Sequence, residues 1–411
     1  MTEEQMVEYI TAHGGEIYIV GGWIRDKLAG KMPKDKDYVL CKMREIDFCM
    51  LFPDAKKVGR AFPVYLLEVD GKKCEIAFAR RELKHGHGYK GFTVSYNEDI
   101  AIEDDLFRRD SRMNSIAFKL PEKIIIDPFS GGEDIKNKII CATSIHFQED
   151  PVRALRAARQ AAEFDFTIEE ATVKQMKECG AELRGEPAER IMNELSRALS
   201  AQTPSVFFRY LKKAALLDIV FPEIAALAGQ TQPCFYHPEG DSFEHTMLIL
   251  DTVAASTDDA AVRFAALCHD LGKGLTPQNM LPHHYGHEKS GIIALDRWHK
   301  RMTLPSHWYY GASFTIREHM RAARLVKFGK IVDLLIAIEK NPLGADGFCT
   351  IISADNKMLP AYLKNIHLIL ELFHSIDMEK RPAFLKGKQI GEWLREQRVD
   401  VLASYIKNMN I

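Results

Sequence analysis

Asp35-Lys36-Asp37 sets two carboxylates two positions apart. In an extended chain residues i and i+2 face the same side, roughly 7 Å apart. Carboxylates so placed repel unless a cation lies between them. Mg²⁺ takes oxygen ligands together with phosphate oxygens, and two such ions ~4 Å apart can activate an attacking hydroxyl and steady a leaving pyrophosphate. Glu75, outward-facing in the strand-like CEIAFAR, offers a third carboxylate. Upstream, Gly21-Gly22 stands between a strand pattern and a helix pattern, with Arg25 in the first helical turn. Glycines there let backbone N–H groups approach a triphosphate at a helix N-terminus. EDDLFRRDSRMN (103–114) then brings Arg108, Arg109, Asp110 and Asn114 together. Guanidinium forks suit phosphate oxygens, and the aspartate suits a sugar hydroxyl. Taken singly, each piece also fits a solvated strand edge, a tight turn or a salt-bridged helix start.

Two further groups follow. Asp150 precedes Pro151, and Arg153, Arg156 and Arg159 recur every three residues, a slanted row on adjoining turns of one helix. Cytosine and adenine each present an exocyclic amine beside a ring-nitrogen acceptor; guanine and uracil reverse that order. A carboxylate paired with a guanidinium therefore complements C and A and rejects G and U. The alternative is an N-cap followed by a solvated arginine face. Farther on come His245, the dipeptide His269-Asp270, His283, His284 and His287 in LPHHYGHEKSG, then His319 and Asp355. Imidazoles with carboxylates suit Ni²⁺, Mn²⁺, Zn²⁺ or Fe²⁺, and such an ion can activate water against a phosphoester. The alternative is a helical scaffold that has lost its metal.

The elements that must position these groups are legible as patterns. Glu16–Val20 and Asp37–Leu40 read as strands, with a short helix Trp23–Ala29 between them. Val64–Val69 and Cys74–Ala79 flank Asp70-Gly71 as a hairpin, and Lys123–Ile126 is a further strand. Arg80–Phe92, rich in glycine and charge, reads as a mobile loop. From Asp150 onward the spacing is helical: Asp150-Pro151 as N-cap and first turn, then Glu189–Leu199 and Ser205–Leu217. Residues 226–243 read as a linker, 243–345 as a His-rich helical block, and the rest as helices with a basic tail, AFLKGKQIGEWLREQR, that can contact RNA.

The chain has 411 residues, enough for two to four domains. A net charge of -2 confines any RNA affinity to local basic surface. Eight scattered cysteines without a CxxC pair fit free thiols in a reducing compartment. The acidic start MTEEQMVEYI is unlike a secretion signal, and no apolar run approaches the ~20 residues of a membrane span. The expectation is a cytoplasmic protein with no membrane association.

In order, GGxxRD, KDxD, EIAFAR, EDDLxRRDxxxN and EDPxRxLRxxR resemble the class II tRNA nucleotidyltransferase and poly(A) polymerase family, closest to the bacterial CCA-adding enzymes that carry an HD domain. The H…HD…H…D series resembles the HD phosphohydrolase superfamily. The resemblance implies an α+β chain: a mixed α/β nucleotidyltransferase head (1–145), a helical neck with the nucleotide-selecting helix (146–228), an HD domain (229–345) and a helical tail (346–411). It implies catalytic Asp35 and Asp37 on Mg²⁺ with Glu75 beside them. Gly21, Gly22, Arg25, Arg108, Arg109, Asp110 and Asn114 would meet the nucleotide. Asp150 and Arg153 would read the base, with Arg156 and Arg159 near the nucleotide or RNA end. His245, His269, Asp270 and Asp355 would hold Ni²⁺ or another divalent transition metal. The implied activity is addition and repair of the tRNA 3′-terminal CCA from CTP and ATP. The HD half would act as 2′,3′-cyclic phosphodiesterase, 2′-nucleotidase and phosphatase. The tRNA would be met at acceptor stem and elbow by a monomer or homodimer. Rival readings are a poly(A) polymerase, an HD phosphodiesterase with an inactive head, and a non-catalytic RNA-binding protein. Two departures from the family pattern are Arg112-Met113 where it usually has Thr-Ile, and Ser115 where it usually has Ala.

Overall fold

A computed structural model describes residues 1–408 apart from Lys34, 59–61, 87–90, Tyr236 and Lys357, and omits the side chain of Phe92. The chain forms two compact units: Met1–Glu194 with Val206–Val220, and Leu195–Ser205 with Phe221–Ile411.

The first unit is built on a seven-stranded sheet. Its strands are β1 (Glu16–Val20), β2 (Asp37–Cys41), β3 (Lys56–Val58), β4 (Val64–Val69) and β5 (Lys72–Phe78), then β8 (Ala117–Leu120) and β9 (Ile124–Ile126), after a separate β6–β7 pair (Arg80–Lys84 and Phe92–Tyr96). The order is β3-β4-β5-β2-β1-β8-β9, with β2 and β5 parallel and the other neighbours antiparallel. Side chains alternate between the faces. Ile17, Ile19, Tyr38, Leu40, Ile76 and Phe78 pack on one face with Met6 and Ile10 of helix Glu3–Ala12 and Phe48 of helix Glu45–Leu51. Tyr18, Val20, Val39 and Cys41 pack on the other with Ile102 and Leu106 of helix Ile102–Phe107. Asp37 and Glu75 share the alternation of Val39 and Cys41, so they belong to the face carrying the 102–107 helix.

Several sequence expectations change. β2 begins at Asp37, so Asp35 lies in the irregular segment entering the strand and not within it. The hairpin's second strand starts two residues early, at Lys72. Arg80–Phe92, read as a loop, holds strand β6 paired antiparallel with β7, because Arg80–Lys84 alternates between half-buried and exposed positions; the tip, 87–90, lies outside the described residues. The Ser205–Leu217 helix ends at Lys213 and resumes as Leu217–Val220, because Ala215 takes a left-handed φ of 55° that an α-helix cannot include.

The second unit is helical. Helices Ser242–Ala254, Ala260–Cys268, His287–Met302, Ser306–Ala322 and Gly344–Asn356 surround the histidine series. A second core joins Phe328–Lys340, Ile366–His374 and the end of Lys388–Asn408 through residues such as Leu335, Ile369 and Leu402. Among the described residues no helix is long and apolar enough to cross a membrane.

Candidate functional site

In the first unit, strand register brings the sequence-distant carboxylates together. Val20 lies opposite Asp37, and Asp37 opposite Glu75, so the end of β1 that leads into the Gly21 turn, the start of β2 at the DxD, and Glu75 midway along β5 lie side by side. Desolvation and the neighbouring Glu75 push the Asp37 carboxyl up to about 6; Arg109 opposes the rise and Asp35 adds to it. Crowded carboxylates with only oxygen donors are the environment a hard divalent cation relieves. Gly21 has φ 70°, and a Cβ there would stand 3.3 Å from Arg109 Nη1. The glycine therefore lets the guanidinium lie against the turn.

From that turn a polar chain runs through the site. Arg25 donates to Asn114 Oδ1 (2.8 Å) and to Asp26 (2.7 Å). Asn114 donates to Asp110 Oδ1 (2.8 Å), and Arg156 donates to Asp110 Oδ2 (3.3 Å). Arg156 also meets Glu194 (3.6 Å), which accepts from Arg159 at 2.5 Å. Burial raises the Asp110 carboxyl, but Arg156 and the Asn114 hydrogen bond more than offset it, leaving about 2. Asp110 is thus an ionised acceptor facing a guanidinium. Arg108 and Arg109 both chelate buried Asp105, at 2.6 and 2.9 Å, and Arg108 also pairs with Glu82. The next helix starts at Val152 with Pro151, not Asp150, at its N-cap position; Asp150 precedes it, accepting from Val152 N (3.2 Å), and pairs with Arg190. Arg153 donates to the His146 carbonyl.

Arg159 departs from its expected place. Only 2% exposed and gripped by Glu194 and Glu163, it lies beneath the site and has no face left for a nucleotide. Sequence reasoning missed Asp105, Glu82, Arg190 and Glu194. The i,i+4 spacing of Arg190 and Glu194 was the available signal. The unusual Ser115 is buried and satisfied by the Ser111 carbonyl and Thr143 Oγ1 (3.0 and 2.8 Å). Met113 is fully buried, and Arg112 lies 4.0 Å from Asp134.

In the second unit the histidines converge on Asp270. His245 and His269 bring Nε2 to 3.7 and 3.3 Å of its Oδ2, and His287 and His319 bring Nε2 to 3.4 Å of its Oδ1. Asp355 Oδ1 lies 3.2 Å from His245 Nε2. Two three-residue ligand groups result, His245–His269–Asp270 and Asp270–His287–His319. Every Nδ1 faces an acceptor: Glu239 for His245 (2.6 Å), Ala266 O for His269, His284 O for His287, and Thr315 O and Ile316 O for His319. The proton thereby sits on Nδ1 and the Nε2 lone pair turns inward, as in metal-binding histidines. Asp270 Oδ1 is buried without a hydrogen-bond donor, and a cation between it and His287 and His319 would satisfy it. Lys273 pairs with the other carboxylate oxygen and donates to Gln232. Of the HHYGH cluster only His287 reaches this centre. His284 bonds Thr276 and the Thr231 carbonyl, and His283 stacks on Tyr285. Gly272 is required here: a Cβ would stand 1.9 Å from the His287 carbonyl.

Three stretches of the chain match known family models. Residues 17–141 match the poly A polymerase head domain, 165–227 the probable RNA and SrmB-binding site of polymerase A, and 242–334 the HD domain. The multifunctional CCA protein of Mannheimia succiniciproducens is 42% identical over 314 residues, 74% of each chain. That of Nitrosococcus oceani is 37% identical over 401 residues, 94% of this chain and 98% of its own. The Bacillus stearothermophilus CCA-adding enzyme in complex with CTP superposes with a TM-score of 0.67 at 20% identity, covering 99% of this chain and 92% of its own, a likeness of fold. With a poly A polymerase head, an HD domain and relatives at these identities along nearly its whole length, the chain belongs to the multifunctional CCA protein family, the bacterial CCA-adding tRNA nucleotidyltransferases that carry an HD domain.

Proposed function

We propose that the chain adds and repairs the 3′-terminal CCA of tRNA, and that its HD unit is a metal-dependent phosphohydrolase. In the head, the tRNA 3′-hydroxyl oxygen bonds to the α-phosphorus of CTP or ATP. The bond to the β-phosphate breaks, pyrophosphate leaves and the hydroxyl proton passes to solvent. Asp35, Asp37 and Glu75 would hold Mg²⁺, which when bound would neutralise charge and acidify the hydroxyl. The Gly21-Gly22 turn with Arg25 and Arg109 receives the triphosphate, and Asp110, held by Asn114 and Arg156, receives the ribose. Arg108 acts through Asp105, and Arg159 positions Glu194 and with it Arg156. Asp150 and Arg153 read the base. The observation that carries this reading is the unbroken polar chain from the glycine turn to Arg156, set beside paired Asp37 and Glu75.

In the HD unit His245, His269, Asp270 and Asp355 hold one Ni²⁺ or other divalent transition ion. His287 and His319 would hold a second with Asp270. Bound there, such ions would supply an activated water and a charge clamp for a phosphoester, on 2′,3′-cyclic phosphates, 2′-nucleotides and phosphomonoesters. The water oxygen bonds to phosphorus, one ester bond breaks and the departing oxygen takes a proton. Along the chain the roles divide as head 1–145, neck 146–228, HD domain 229–345 and tail 346–411, with tRNA met at acceptor stem and elbow by a cytoplasmic monomer or homodimer.

The test gives purified protein a tRNA lacking its last three nucleotides, with Mg²⁺ and each NTP singly and mixed, and sequences the 3′ ends. Addition stopping at CCA supports the reading. Long A tracts would make the chain a poly(A) polymerase, and no extension would leave an HD phosphodiesterase with an inactive head or an RNA-binding protein.

A further inference from the structure

The HD centre lies in a cavity of about 690 Å³ whose wall changes character from floor to rim. At the floor are Asp270, His287 and His319, all buried. Among the other lining residues are Arg324 and Tyr285. Arg324 is exposed and, among the described residues, forms no ion pair. Tyr285 is 78% exposed, and its ring lies 5.6 Å from that of His283 at 23°, a stacked arrangement. An aromatic of this size normally covers itself in a core or an interface. Here it is braced by a second ring and left open beside a phosphoester-type metal floor. Only Gly286 separates it from His287, so its Cα lies within ~7 Å of that residue's Cα. A stacking surface, a cation without a counter-ion and an Asp–His floor that could hold a metal, in one cavity, correspond to the three parts of an RNA end: base, phosphodiester and terminal phosphate.

We infer that the rim of the HD cavity selects the 3′ end of a single-stranded polyribonucleotide over a free nucleotide, with Tyr285 on His283 stacking the terminal base and Arg324 holding the preceding phosphodiester. The inference rests on the HD unit being the phosphohydrolase described above. Base–aromatic stacking tolerates any base because every base has a π-face, so the rim reads an end and not a sequence. Such a surface gives a mononucleotide only the stacking contact and a polynucleotide both contacts.

The test compares an oligoribonucleotide ending in a 2′,3′-cyclic phosphate with 2′,3′-cyclic AMP and a small chromogenic phosphodiester, using the full chain with Ni²⁺ or Mn²⁺. Wild type is expected to favour the oligonucleotide in kcat/KM. Arg324→Gln is expected to lower the oligonucleotide value ~5-fold or more through KM, leaving both small substrates within twofold. Tyr285→Ala should lower the oligonucleotide and cyclic AMP values together but spare the chromogenic ester, and Tyr285→Phe should restore both. Equal loss on all substrates, or no loss on the oligonucleotide, overturns the inference. A wild type inactive on every substrate would instead remove the hydrolase reading. Photocrosslinking of an oligonucleotide with a terminal 4-thiouridine 3′-phosphate then decides the rim alone: adducts on Tyr285 or His283 support it, and adducts confined to the first unit overturn it.

Discussion

Arg190 Nη2 donates to both carboxylate oxygens of Asp150, at 3.0 and 2.8 Å, while its Nη1 bonds Glu186 at 2.7 Å. The carboxylate proposed to read the incoming base is thus oriented from a helix forty residues downstream, and not by Arg153 beside it, whose guanidinium is bonded to the His146 carbonyl. On the proposed reading, base selection depends on a residue outside the EDPVR motif.

Arg190→Ala is therefore expected to loosen base choice more than rate. With its partner gone, the Asp150 carboxylate loses a charge-assisted pair and, among the described residues, is held only by the Val152 N–H. Discrimination of CTP and ATP against UTP and GTP should fall ~10-fold, with a smaller change in the rate of correct addition, and Arg190→Lys should fall between. Single-turnover incorporation of each NTP on tRNA lacking CCA measures this; unchanged discrimination would rule out the orienting role.

On the proposed reading the two sites use different residues and different ions, so they should fail independently. Asp35→Ala is expected to reduce nucleotide addition by ~10²-fold or more and to leave hydrolysis of 2′,3′-cyclic phosphates intact. His269→Ala should do the reverse. Assays of both activities on each variant, with circular dichroism to verify folding, check this. Joint loss in either folded variant contradicts separate sites.

Much of this was legible locally. The DG hairpin, the glycine turn and the HD dipeptide are contiguous patterns, and their neighbours in the chain remain their neighbours in space. What local pattern could not reveal is pairing across distance. The parallel register that sets Asp37 against Glu75 joins strands separated by two others in sequence. Arg159 shares the three-residue spacing of Arg153 and Arg156, and only Glu194 from another helix determines that it is buried. Three histidines in HHYGH are equivalent as letters, yet of the three only His287 brings its ring to Asp270, where the missing Cβ of Gly272 leaves room for its backbone. Arg80–Lys84 was obscured as a strand because its alternation is between charged residues, exposed and half-buried.

Acid stability should report the Asp105 cluster. Burial raises this carboxyl, but Arg108 and then Arg109 outweigh it and leave it at about 2, against 3.8 unperturbed. A folded-state value below the unfolded one stabilises the protein fully above about pH 4, and the contribution disappears as pH falls from 4 towards 2. Its size is about 2 kcal/mol. Asp105→Asn also leaves two guanidiniums without their shared partner, so it should lower stability at pH 7 by ~3 kcal/mol or more. Denaturant unfolding of wild type and variant between pH 7 and 3 is expected to show the gap narrowing only below pH 4. A gap independent of pH would mean that the carboxylate charge is not what stabilises the cluster.

Metal stoichiometry separates one HD ion from two. Asp270 offers Oδ2 towards His245 and His269 and its otherwise unbonded Oδ1 towards His287 and His319. If both oxygens ligate, protein equilibrated with Mn²⁺ or Ni²⁺ and then desalted should retain two ions per chain by elemental analysis. His287→Ala should retain one, because the His245–His269–Asp355 side is untouched. Binding to the folded state alone stabilises it by RT ln(1 + [L]/Kd), about 2.7 kcal/mol at a hundredfold excess over Kd. Wild type should therefore gain more in Tm from added metal than His287→Ala does. Gly272→Ala forces the turn away from the His287 carbonyl and should lose the second ion as His287→Ala does. One ion in wild type, and no difference in metal-induced Tm shift between wild type and His287→Ala, would confine the centre to the His245 side and leave the pairing of Asp270 Oδ1 with His287 and His319 without a metal role.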